Sequence, residues 1–116
     1  MLNPLTAQIW FYPVPIDFRK QIDGLVMLVA DSLDKKPTSG ELFLFRNLSC
    51  DKLKILYWED NGFWLYYKRL EQGRFTFPPI IDSALAITNQ QLSWLLSGIG
   101  LYAHPVAKPL EIQHFY

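Results

Sequence analysis

Residues 51–71, Asp-Lys-Leu-Lys-Ile-Leu-Tyr-Trp-Glu-Asp-Asn-Gly-Phe-Trp-Leu-Tyr-Tyr-Lys-Arg-Leu-Glu, constrain the fold more than any other stretch of the chain. Two runs rich in aromatic and aliphatic residues flank Glu59-Asp60-Asn61-Gly62, a turn signal, and together they read as a β-hairpin. Gly62 suits the left-handed position of a type I turn with a G1 bulge, which pairs Glu59 with Phe63. In that register one face carries Leu53, Ile55, Tyr57, Phe63, Leu65 and Tyr67, a core face. The other carries Lys52, Lys54, Leu56, Trp58, Trp64, Tyr66 and Lys68. Two readings fit this second face. Sheet faces of lysines and aromatics bind single-stranded nucleic acid, with bases stacked on rings and phosphates met by ammonium groups. Alternatively, a helix covers the tryptophans while the lysine stems run past it to water.

The segments around the hairpin supply its packing partners. Ala7-Gln-Ile-Trp-Phe-Tyr12 reads as a short strand, ended by Pro13 and Pro15. Asp17 stands where a helix N-cap belongs, and Phe18, Ile22, Leu25, Val29 and Leu33 follow on one helical face. Gly24 weakens that helix, so close packing against another element is expected there. Arg19-Lys20 fall in its first turn, where cations oppose the helix dipole. Free backbone N–H groups beside two cations make an anion site, phosphate above all, unless both side chains simply project into solvent.

Glu41-Leu-Phe-Leu-Phe-Arg46 is apolar on both faces, the pattern of a central strand. After the hairpin the chain turns at Gly73 into a short strand, Phe75-Thr76-Phe77, closed by Pro78-Pro79. Lys68, Arg69 and Arg74 around that turn form the densest basic spot in the sequence. Thr88 caps a second helix over residues 89–96 with Gly98 as its stop, and Leu92, Leu95, Leu96 and Ile99 share the face that should dock on the sheet. The sum is an α+β fold, an antiparallel meander sheet of about four to five strands packed with an N-terminal and a C-terminal helix.

A chain of 116 residues is expected to form one domain, 1–116, with a compact core over 1–102 and an extended tail over 103–116. Eleven basic and eleven acidic residues cancel, so any attraction to polyanions must come from local clustering. A lone cysteine, Cys50, excludes an intramolecular disulfide framework. No signal-peptide pattern and no apolar run long enough to span a bilayer are evident, so a cytoplasmic protein without membrane contact is expected. His104 and His114 lie ten residues apart with prolines between them or nearby, the wrong spacing for a helical metal pair. The acidic residues fall at caps and turns. No catalytic constellation, metal site or cofactor motif is found.

Asp17-Phe-Arg-Lys-Gln-Ile-Asp-Gly-Leu25, Gly40-Glu-Leu-Phe-Leu-Phe45, Lys54-Ile-Leu-Tyr-Trp58 and Lys68-Arg-Leu-Glu-Gln-Gly-Arg-Phe75 keep an order and spacing that resemble one family. It is the small TnpB-type, second-reading-frame accessory protein of the bacterial insertion-sequence family numbered sixty-six. The resemblance implies a role in transposition beside a separate, larger transposase that carries the strand-transfer chemistry, and it supplies no catalytic residues. The chain departs from the family pattern at Gln21, where glycine is usual, and at Asn47-Leu-Ser-Cys50, where relatives are arginine-rich.

The expectation is a non-catalytic accessory protein that binds DNA, the transposase, or both. The candidate DNA-contacting residues are Arg19, Lys20, Lys52, Lys54, Lys68, Arg69 and Arg74, with Trp58, Trp64 and Tyr66 as the aromatic face. The rival is a protein–protein module without nucleic-acid contact, in which the aromatic face and apolar tail form a subunit interface. Self-association is compatible with either.

Overall fold

A computed structural model describes residues 7–77 and 84–98. Its elements are β1 (Ile9–Phe11), α1 (Ile22–Asp31), β2 (Leu42–Arg46), β3 (Lys52–Glu59), β4 (Gly62–Arg69), β5 (Leu85–Ile87) and α2 (Asn89–Leu96). The strands form one sheet in the order β4-β3-β2-β1-β5. The fold is α+β, but the sheet is mixed rather than an antiparallel meander. Only β2, β3 and β4 form a meander, because β1 pairs parallel with β2, Ile9 opposite Leu42 and Phe11 opposite Leu44. The chain between them runs through α1 and so returns in the same direction, as parallel pairing requires.

β2 lies at the centre and is buried along its whole length. Alternation sends its side chains to two different cores. Phe43 and Phe45 pack with Leu56 and with Leu25 and Val29 of α1. Leu42 and Leu44 pack with Leu53, Ile55 and Ile87 and with Leu92 and Leu95 of α2. A sheet lined by apolar residues on both sides thus has one helix against each. Each fully buried side chain of this kind contributes about 1.5–3 kcal/mol of transfer free energy.

Three expected elements differ. Residues 75–77 are not a strand. The Phe75 N–H donates to Cys50 O, and the ring of Phe77 stacks on Phe11 at 4.7 Å, so these residues serve as an irregular arm that fills the α2-side core. The missing strand is β5, three residues that pair antiparallel with β1, Ile9 opposite Ile87.

The first helix begins at Ile22 with Gln21 at its N-cap, not at Asp17. Asp17 instead closes a separate turn: its carboxylate accepts the Arg19 N–H, and its carbonyl accepts the Lys20 N–H. Arg19 and Lys20 therefore precede the helix rather than occupying its first turn. The close approach at Gly24 is made by the Lys20 side chain, 3.3 Å from where a Cβ would sit.

The third difference is register. Glu59 faces Gly62, not Phe63, because the hairpin closes on two residues, Asp60-Asn61. Asp60, with φ 56°, takes the left-handed conformation expected of Gly62, one that aspartate tolerates better than most side chains. One residue of slip exchanges the faces of β4. Thr88 is the N-cap of α2, as expected, and with Gln91 it forms a capping box; Gly98 follows at φ 82°. Ile99 and the tail over 103–116 lie outside the described residues.

Candidate nucleic-acid interface

The site starts from a lysine that does not reach solvent. Lys54, on β3, is 2% exposed, and its ammonium donates to Phe18 O at 2.9 Å and Lys20 O at 2.7 Å. The rings of Phe18 and Tyr67 lie 4.9 and 5.6 Å from its nitrogen. Burial pushes its pKa down, opposed by the charge of Asp17. Lys54 is thus a tether that fixes the 17–20 turn on the hairpin, with two of its three donors engaged by backbone carbonyls.

The tether sets the geometry of the residues around it. On this α1-side face, β3 and β4 bring Lys54 opposite Tyr67 and Lys52 opposite Arg69. Tyr67 is 55% exposed, and its ring meets Phe18 edge-on at 6.1 Å. Arg19, on the turn that Lys54 holds, has a side chain 91% exposed. Lys52 and Arg69 thus lie one residue pair beyond Lys54 and Tyr67 on this face, and Arg19 and Lys20 flank Phe18, whose ring meets that of Tyr67.

Two carboxylates temper this charge. Asp17 pairs with Arg19 at 2.6 Å, and hydrogen bonds from the Arg19 side chain and backbone lower its pKa to about 2. Glu71 accepts from Arg69 Nε at 2.9 Å, which raises the arginine pKa further. Both pairs are solvent-exposed, where such contacts are weak and are readily exchanged for a phosphate. The neighbouring turn is ordered by Asn47, whose side-chain oxygen accepts from the N–H groups of Asp51 and Lys52. Its amide donates to the Asp51 carboxylate at 2.6 Å, the main reason that the Asp51 pKa is lowered.

The other expected contributors lie elsewhere. Lys68 points to the opposite face, where its ammonium donates to Leu96 O at the end of α2. Arg74 is exposed after Gly73, close enough to Asp51 to lower that carboxylate's pKa. The tryptophans do not share a face. Trp58 is half-buried on the α1 side, edge-on to Phe63 at 4.9 Å. Trp64 is 47% exposed on the α2 side, stacked on Tyr66 at 6.0 Å, with its indole N–H donated to Glu59 at 2.8 Å. The single aromatic platform of the sequence reading is therefore split between the two sides of the sheet.

Two residues of consequence were not singled out from the sequence. Tyr67 falls on the core face only with a three-residue turn; the two-residue turn places it opposite Lys54, exposed on the α1 side. Arg46 is 6% exposed: its Nε and one terminal nitrogen donate to Pro13 O at 3.0 and 2.7 Å, and the other terminal nitrogen lies 3.3 Å from Cys50 Sγ. An arginine in phase with Leu42 and Leu44 was the available signal for a buried guanidinium with a dedicated acceptor.

Among the described residues no group of three or more His, Cys, Asp and Glu side chains could hold a metal ion, and no helix is long and apolar enough to cross a membrane. His104 and His114 lie outside the described residues.

Comparison with known proteins gives a consistent result. The model of the family described as IS66 Orf2-like protein matches residues 7–104. Two relatives from Sinorhizobium fredii, named uncharacterized proteins y4jC and y4hO, are 39% identical over 101 residues and 38% identical over 99 residues. The first alignment covers 84% of this chain and 86% of the relative, the second 85% of each. No solved structure matches.

Proposed function

The chain belongs to the family of IS66 Orf2-like proteins, which have an accessory role associated with transposition, and from that membership we propose that it contacts DNA for a separate transposase without catalysing a reaction itself. The observation that carries the reading is the open end of the hairpin. There Lys52 faces Arg69, two residues along the strands from the exposed ring of Tyr67, and the tethered turn adds Arg19 and Lys20. Two cations on the strand pair that carries this ring, and two on the turn packed beside it, suit a phosphate backbone with a base, or a distorted base step, against the aromatic. Lys54 shapes this surface without joining it.

Salt titration of binding to the element's end DNA tests the proposal. Four phosphate contacts give a slope of about −3 to −4 in log K against log salt on duplex DNA. Lys52→Ala and Arg69→Ala should each make that slope shallower by about 1. Absence of binding at low salt by the folded protein would overturn the DNA reading. Metal-dependent cleavage of DNA by the purified protein would overturn the non-catalytic one. A second reading, contact with the transposase alone, is favoured by exposed Trp64 stacked beside Tyr66 on the far side of the hairpin. Tight transposase binding by a chain that ignores DNA is its signature.

A further inference from the structure

β4 ends the sheet on one side, and among the described residues nothing pairs with its outer edge. Edge strands are ordinarily short, or interrupted by proline, a bulge or an inward-pointing charge. β5, at the other edge, has three residues; β4 has eight, with no proline and with charge only at Lys68 and Arg69. The exposed aromatic side chains of the described residues, Trp64 and Tyr67, both belong to it, one on each face.

The backbone polarity of the edge follows from the ladder. Leu70 N–H donates to Asp51 O, directly beyond the Lys52–Arg69 pair, so even-numbered residues turn their N–H and C=O groups toward β3. Phe63, Leu65, Tyr67 and Arg69 then direct theirs outward. Charge is also polarised along the hairpin. The turn end carries Glu59 and Asp60, and at the open end Lys52, Lys68, Arg69 and Arg74 outnumber Asp51 and Glu71.

We propose that a second copy of this chain pairs antiparallel along β4 about a two-fold axis through Leu65, making one continuous sheet from two chains. A two-fold axis perpendicular to the sheet keeps each face continuous, so residues of equal parity oppose one another. Centred on Leu65, the axis sets Tyr67 against the second copy's Phe63 and Trp64 against the second copy's Tyr66. Both exposed rings thereby gain aromatic cross-strand neighbours. Arg69 comes opposite the second copy's Asn61, beside its Asp60, so each basic end meets an acidic turn. Parallel alignment would stack like charges at both ends. This interface does not depend on DNA contact.

Sedimentation velocity without DNA, over about 1–200 µM protein, tests it; a strand-edge contact lies at the small end of specific interfaces, so micromolar dimerisation is expected. Tyr67→Pro removes an outward N–H while leaving the β3 ladder intact, and should weaken dimerisation at least about tenfold with unchanged circular dichroism. A charge exchange keeps the test decisive should that variant fail to fold. Arg69→Glu and Asn61→Lys should each weaken the dimer, and the double variant should restore it, because residues 61 and 69 face each other across the axis. A wild-type monomer throughout the range would overturn the proposal, as would a dimer indifferent to these substitutions. Failure of the double variant to recover would overturn the register.

Discussion

Replacing Lys54 with methionine isolates the tether between the hairpin and the 17–20 turn. The substitution keeps most of the buried stem and removes the ammonium, leaving Phe18 O and Lys20 O without the donors now at 2.9 and 2.7 Å. Hydrogen bonds to a charged donor contribute about 1.5–3 kcal/mol each, so the gross loss is about 3–6 kcal/mol. Two effects return part of it. The buried ammonium no longer bears the desolvation that depresses its pKa. Water can also reach the turn, where Arg19 and Lys20 are exposed, and bond the vacated carbonyls. Allowing these to offset about half leaves a net destabilisation of about 1.5–3 kcal/mol. For a chain of this size that corresponds to a fall in melting temperature of about 6–12 °C. Urea unfolding at constant m-value reads the free energy directly, and Lys52→Met, on the same face of the same strand, serves as the control, expected within about 0.5 kcal/mol of wild type. A Lys54→Met protein as stable as that control would refute the tether, and with it the account of how the turn is held beside Tyr67.

Other perturbations probe separate links. Arg46→Leu leaves Pro13 O unpaired beneath the sheet and should cost about 2–3 kcal/mol in urea unfolding, more than an exposed arginine would. Thr88→Ala removes the oxygen that accepts from Gln91 N and should cost about 1 kcal/mol, with the loss of helicity confined to α2 by amide chemical shifts. The Asp17 pKa is lowered to about 2 in the folded chain, so the stabilisation from its Arg19 contacts is complete above the ordinary carboxylate range and is lost as pH falls through about 2. The Arg19 amide resonance should titrate with that low midpoint, and Asp17→Asn should abolish the titration.

Element identity was legible in the sequence where a long side-chain period or an N-cap residue marked it. The apolar run of β2, the aromatic hairpin and the Thr88 N-cap of α2 all carried local signals strong enough to place them. What escaped was set by contacts remote in sequence. Leu85–Ile87 becomes a strand only because β1 offers it an edge, and three residues carry little period of their own. Phe75 and Phe77 alternate like a strand yet occupy a core pocket without a ladder partner. The start of α1 moved because Asp17 satisfied a tighter turn first. The candidate site suffered most from one turn residue. Counting the loop as three residues instead of two exchanged the sides of β4, hid Tyr67 in an imagined core, and set Trp64 beside Lys54.

The bond from Lys68 to the last turn of α2 has a consequence for how the molecule comes apart. β5 and α2 are contiguous, and β5 forms one margin of the sheet, while the Leu96 carbonyl is held by Lys68 on the strand at the opposite margin. The β5–α2 segment therefore spans the sheet as a strap fastened at both ends, joined to it by contacts that close long chain loops and so form late. It should behave as one opening unit in native-state hydrogen exchange, with amides of β5 and α2 sharing a common free energy below that of β2 and β3. Cutting the far fastening with Lys68→Met should lower the protection of β5, at the other side of the molecule, together with that of α2.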